Sequence, residues 1–139
     1  LVSLANVTDY EIILIDPRDH FATKSRFPNC KIINEWPDEA LSKFNLDKSS
    51  HLVTLTHDPK IDDLALIFCM KKNIGYIGSL GSKKTHNKRC ERLIEKGFNE
   101  IELSKIHAPI GLDIKAKTPA EIATSILAEI INYRRNNHD

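Results

Sequence analysis

Four short stretches of the chain carry groups suited to holding a charged ligand. The first is Asp16-Pro17-Arg18. A carboxylate there can accept hydrogen bonds from ribose hydroxyls, and the arginine can hold a phosphate. The same trio also reads as a turn opener followed by a solvated arginine. The second is Thr56-His57-Asp58-Pro59-Lys60. His57 can exchange a proton near neutral pH and is read as a ligand contact, whereas Asp58, standing before proline, is read as the cap of the following helix. The third is Gly78-Ser79-Leu80-Gly81-Ser82-Lys83-Lys84-Thr85. Glycines between a strand and a helix let backbone N–H groups converge on an anion, and the helix N-terminus adds partial positive charge. Lys83 and Lys84 then stand where the helix dipole disfavours cations, a penalty that a bound anion would reverse. The spacing is not that of a P-loop. The fourth, Ala108-Pro109-Ile110-Gly111-Leu112-Asp113, predicts a rigid turn with close backbone approach at Gly111.

No nucleophile, base and orienting group occur together in a pattern that would carry nucleophilic catalysis. The histidines other than His57, namely His20, His51, His86, His107 and His138, are dispersed and read as solvated or capping residues. Arg89 and Arg92, one turn apart, read as surface charges rather than a second anion site. Cys30, Cys69 and Cys90 are odd in number and far apart, which argues against a disulfide framework or structural zinc.

The elements that must position these groups alternate. Glu11–Asp16, Lys31–Asn34, Leu52–Thr56 and Ile74–Gly78 are short apolar runs rich in β-branched residues, as expected for buried parallel strands. Between and after them, helices are expected over Glu39–Phe44, Asp62–Lys72 and Lys83–Lys96. The last should bury Cys90, Leu93 and Ile94 and stop at Gly97. A final helix is marked by Thr118-Pro119-Ala120-Glu121, a capping box with proline at the first helical position. It is followed by the stripe Ile122, Ile126, Leu127, Ile130 and Ile131, and should run to about Arg135. Alternating strand and helix is the signature of an α/β fold with a parallel sheet, and each ligand-holding stretch then falls at a strand's carboxyl end, where such sheets bind ligands. Residues 17–30 form a long connection.

With 139 residues, a single domain over 1–139 is expected. No apolar run approaches the length that crosses a bilayer, and no signal peptide is apparent, so a cytoplasmic location is the default. Net charge is +1, yet residues 71–96 carry eight Lys/Arg against Glu91 and Glu95, so the basic character is local. Nucleic-acid binding through that stretch is disfavoured by the near-neutral total and the lack of interleaved aromatics.

Leu1–Val7 resembles the latter half of a helix that leads straight into a strand ending in Asp16. In a dinucleotide fold such an acid follows a Gly-rich loop by about 20 residues. The expected architecture is therefore a Rossmann-like three-layer sheet lacking its first strand and Gly-rich loop. In the order 3-2-1-4-5-6 the missing strand lies between Glu11–Asp16 and Leu52–Thr56. Either these two close up and pair directly, or another chain fills the gap.

Read together, IDPRDHFAT, RFP, LVTLTHDPKID, YIGSLGSKKTHNKR and HAPIGLDIKAKTPAEIATSILAEI resemble the C-terminal half of the xanthine dehydrogenase accessory (XdhC/CoxI) family. The resemblance covers essentially the whole chain. It implies a cytoplasmic Rossmann-like domain that binds molybdenum cofactor (molybdopterin), assists its sulfuration by a cysteine desulfurase and delivers it to a xanthine-dehydrogenase-type molybdoenzyme. It transfers Asp16, Arg18, Thr56, His57, Asp58, Gly78, Gly81, Ser82 and Gly111 to the ligand cleft, to which the anion-site reading adds Lys83. Lys115 stands where the family usually has glycine. The family's N-terminal domain, with its cysteine-bearing segment, has no counterpart here. A homo-oligomer is expected from the open strand edges. The alternative reading is an NAD(P)-binding oxidoreductase-like domain, against which stands the missing pyrophosphate loop.

Overall fold

The structure, a computed structural model, describes residues 1–137. Along them run α1 (Val2–Asn6), β1 (Ile13–Ile15), β2 (Lys31–Ile33), α2 (Pro37–Leu41), β3 (His51–Thr54), α3 (Pro59–Met70), β4 (Tyr76–Ser79), α4 (Lys83–Glu95), α5 (Glu100–Leu103), β5 (Ile106–His107) and α6 (Pro119–Asn137). His138 lies outside the described residues. Every strand pairing is parallel, because each pair is linked through a crossover rather than a hairpin. The result is the Rossmann-like α/β arrangement expected from the sequence.

The strands form two sheets, β1-β2 and β3-β4-β5. Direct pairing of the first and third strands, one of the two outcomes expected from the sequence, does not occur in the single chain. Helix packing joins the sheets instead, since α2 lies on α3 and α1 lies on α6. Ile15 of β1 and Leu52 of β3 also pack against the same core. The residues of β1 are half-buried rather than buried, which follows from the open edge beside them.

Strand alternation sends neighbouring side chains of β4 to opposite cores. Ile77 joins Leu41, Leu66, Cys69, Leu93, Leu103 and Ile106 beneath the helix layer α2–α5. Tyr76 joins Ile110, Ile126 and Ile130 under α6, with Leu1 and Tyr10 at the margin. These are the three layers: helices, sheets, helices.

Boundaries of the expected elements moved by at most three residues, for local reasons. The third helix begins at Pro59 rather than Asp62 because Asp58 caps it, its carboxylate accepting the Lys60 N–H at 3.0 Å. On α4, Cys90 is partly buried and Leu93 fully so, but Ile94 is 51% exposed. The capping box before α6 forms as expected: the Glu121 N–H donates to Thr118 Oγ1 at 3.1 Å and the Thr118 N–H to Glu121 Oε1 at 3.0 Å. Sequence periodicity missed α5, held by a capping box of Asn99 and Glu102, and the two-residue β5. Residues 17–30 carry local ties, among them Arg26 Nη1 to the Phe21 carbonyl at 2.6 Å and Lys24 Nζ to the Cys30 carbonyl at 2.8 Å.

Candidate functional site

Asp16 closes β1 and is buried, with its backbone N–H still held by the Ile33 carbonyl of β2. The chain turns at Pro17, and Arg18 folds back so that Nε meets Asp16 Oδ1 at 3.0 Å and Nη2 meets Oδ2 at 2.9 Å. This fork-on-fork pairing fixes both charges. Burial alone would raise the Asp16 carboxyl, but hydrogen bonds and charge from Arg18 outweigh it and hold the group below the usual carboxylate range. Arg18 also stacks over the Phe21 ring, 4.4 Å from its centroid.

At the end of β3 the chain turns sharply through His57, an exposed residue at φ 65. Left-handed backbone at a residue other than glycine is sparsely populated, and histidine is among the types enriched there. Thr56 ties the turn down: its hydroxyl donates to Asp62 Oδ1 at 2.6 Å and accepts the Asp58 N–H at 3.1 Å. Asp62, on the first turn of α3, is buried. Burial pushes its carboxyl above the usual range, against the hydrogen bonds from Thr56 and the charge of Arg89 that pull it back. Arg18 lies near enough to feel the charges of Asp58 and Asp62, so the ends of β1 and β3 share one electrostatic neighbourhood.

After β4 the backbone passes Gly81 at φ 136, where a Cβ would come within 3.0 Å of the Thr85 methyl. Ser82 then caps α4, its Oγ accepting the Thr85 N–H at 3.1 Å. Lys83 opens the helix and is exposed, as is Lys84. Nearly two turns in, Arg89 corrects the expectation of a surface charge, being only 4% exposed. Its Nη2 donates to the Leu80 carbonyl at 3.0 Å and its Nη1 to His86 Nδ1 at 3.1 Å. A guanidinium only donates, so neutral His86 carries its proton on Nε2, which faces Cys90 Sγ at 3.4 Å. His86 is thus packed into the helix face rather than solvated. Arg92 likewise is not a free charge, its Nε meeting Asp63 Oδ2 at 2.7 Å.

Gly78 and Gly111 stand apart from these three loops. Gly78 lies within β4, where a Cβ would fall 2.5 Å from the Ile110 side chain. Gly111, at φ 101, backs onto α6 so closely that a Cβ would fall 2.4 Å from Ser125 Oγ. Its N–H reaches Glu129 Oε1, which also accepts the Tyr76 hydroxyl. Packing alone accounts for both glycines. His107 and His51 again differ from the expected solvated role. His107 stacks on Tyr76 with ring centroids 4.7 Å apart, and the His51 ring lies 5.8 Å from that of Tyr10.

The cysteines do not bond to one another, and burial pushes the Cys69 thiol up to about 12. Among the described residues no group of His, Cys, Asp and Glu suits a metal ion. Among them, too, no helix is long and apolar enough to cross a membrane. A shallow depression of about 540 Å³ lies beside the 17–30 loop, lined by Thr23, Lys24, Lys31 and Asn34. Arg18, His57 and Gly81 take no part in it.

The chain is 35% identical over 136 residues to a probable xanthine dehydrogenase subunit of Bacillus subtilis (strain 168), covering 97% of this chain and 39% of that protein. It is 30% identical over 100 residues to the molybdenum cofactor insertion chaperone PaoD of Escherichia coli (strain K12), covering 72% of this chain and 31% of PaoD. Among solved structures, a xanthine dehydrogenase from Bacillus halodurans superposes with a TM-score of 0.82 at 31% identity, covering 99% of this chain and 39% of that one. The chain therefore spans between about a third and two fifths of the length of these longer relatives. Residues 1–130 match the model of the XdhC Rossmann domain. With parallel strands linked through crossovers and sequence agreement along nearly its whole length, this chain belongs to the family of XdhC Rossmann domains.

Proposed function

We propose that this domain holds the phosphate-bearing end of molybdenum cofactor in the cleft between the loops after β1, β3 and β4, as a non-catalytic maturation factor in the cytoplasm. The observation that supports the reading is a chain of neighbours along the carboxyl ends of β1, β3 and β4: Arg18 feels the charges of Asp58 and Asp62, Asp62 feels that of Arg89, and Arg89 lies beside Gly81. Gly81 leaves the backbone open where a side chain would crowd Thr85, and the first turn of α4 offers N–H groups and positive dipole to an oxyanion. PaoD, a relative, is named as a molybdenum cofactor insertion chaperone. By analogy the partners are a xanthine-dehydrogenase-type molybdoenzyme that receives the cofactor and a cysteine desulfurase that supplies sulfur, and the domain works as a homo-oligomer. Gly78 and Gly111 belong to this proposal as supports that seat β4 and α6, not as contacts.

The NAD(P) reading rests on Asp16, the acid at the end of β1. Arg18 already fills about three of its four acceptor positions, so only one ribose hydroxyl can be accepted without displacing that fork. Calorimetric titration at fixed low salt with molybdenum cofactor, NAD(P) and RNA separates the readings, and heat from the first alone is the expected outcome. Lys83→Ala together with Lys84→Ala should weaken cofactor binding by up to about 3 kcal/mol, the scale of charge-assisted contacts. Unchanged affinity in the double variant, or NAD(P) turnover that copurifies with the protein, counts against the proposal.

A further inference from the structure

Arg89 is a buried cation without a counter-ion in contact. Among the described residues none of the ion pairs includes it. The two carboxylates nearest in effect, Asp62 and Asp63, are committed elsewhere, the first to Thr56 and the second to Arg92. Two of its nitrogens hold the Leu80 carbonyl and His86, while its Nε is buried without a hydrogen-bond partner. Buried charges are ordinarily paired, because desolvation of an unpaired one is costly.

The guanidinium lies against the turn that leads into α4. Its Nη2 stands 3.7 Å from where a Cβ on Gly81 would be. The Gly81 turn, the first turn of α4 and a buried positive charge therefore lie side by side. Resting on the anion-holding reading of the cleft, we infer that Arg89 is a binding residue for a phosphate group, whose negative charge is the counter-ion this buried guanidinium lacks. Only two of its five N–H donors are used, so Nη2, beside Gly81, and the partnerless Nε keep donors for it, while His86 and the Leu80 carbonyl hold the fork in place. Burial holds the Arg89 guanidinium below its ordinary value, as expected where the charge awaits a partner. The ligand class is a phosphate monoester or a pyrophosphate, and comparing the two probes distinguishes a pterin monophosphate from a dinucleotide backbone.

The test uses the 139-residue protein with inorganic phosphate and pyrophosphate, read by calorimetry and by thermal unfolding. Arg89→Gln removes the charge but keeps an N–H for the Leu80 carbonyl, and Arg89→Lys keeps the charge. Wild type should bind one of the anions, Arg89→Gln about tenfold or more weakly, and Arg89→Lys in between, as expected for a charge-assisted contact. A purely structural Arg89 would instead lower the unfolding temperature of Arg89→Gln equally with and without anion, and that result overturns the inference. Should Arg89→Gln fail to fold, the Nε–H resonance of Arg89 in the wild type decides. Movement on titration supports the assignment, and a resonance that stays put at saturation refutes it. If wild type and Arg89→Gln bind equally, the Arg89 assignment fails while the anion-holding cleft stands. If wild type responds to neither anion, the inference fails and the cofactor titration alone judges the cleft.

Discussion

Asp62 is the residue whose environment most changes its chemistry. Its burial raises the folded carboxyl above the unfolded value, so the native state binds that proton more tightly than the unfolded chain does. The stability this group contributes is therefore present at acid pH and is lost as pH rises through the folded pKa. Asp62→Asn keeps an oxygen for the Thr56 hydroxyl and removes the titration. Its urea midpoint should gain on the wild type as pH rises above the ordinary aspartate value, and the gain should level off once the folded pKa is passed. A difference between the two proteins that does not change with pH would show that the folded carboxyl is not raised. Asp16 behaves oppositely, its Arg18 pair being lost as pH falls through the lowered value. At this scale the sequence was readable where chemistry is local. Asp58 caps α3 because an aspartate before Pro59 has little else to do, and its backbone neighbours suffice to say so. Arg89 was misread because a basic run suggests a solvated face. The legible clue was its position one turn before the buried Leu93, on the stripe that also carries His86.

Among the elements, α6 was the most legible, since its start signal, proline and apolar stripe all agree and none depends on distant chain. Its approach is less settled. Lys115 sits at φ 60, in the left-handed region, with its side chain exposed. A β-carbon there costs roughly 1–2 kcal/mol, against which glycine loses some entropy on folding. Lys115→Gly should therefore stabilise the domain by about 0.5–1 kcal/mol, seen as a higher urea midpoint with unchanged slope. A lower midpoint would mean that the Lys115 contact with Asp113 outweighs the backbone strain. By contrast α5 and β5 escaped notice because four and two residues are too few to display a period. Their existence is decided by the surrounding core, where Leu103 and Ile106 fill space beside Leu93.

For the molecule as a whole, fold class followed from the alternation of strand and helix, whereas the behaviour of the sheet did not. Side-chain patterns say which residues are buried, but whether two strands share a ladder depends on the spacing set by the helices above them. Here α2 on α3 and α1 on α6 hold the two sheets together without a hydrogen bond between β1 and β3. Ladder bonds to β2 and β4 use the backbone of Leu14 and Asp16, and of Leu52 and Thr54, so the N–H groups of Ile13, Ile15 and Val53 point to the other edges. Amide hydrogen exchange then reads the sheet amide by amide. In dilute solution Ile13, Ile15 and Val53 should exchange fast while Leu14 and Ile77 stay protected. If the homo-oligomer reading holds, their protection climbs with protein concentration in step with the mass seen by light scattering, whereas a strict monomer with fast exchange at every concentration refutes it. The divided sheet would in that case make protein concentration a ligand of its own, with each half of the fold able to open without the other until a strand is supplied.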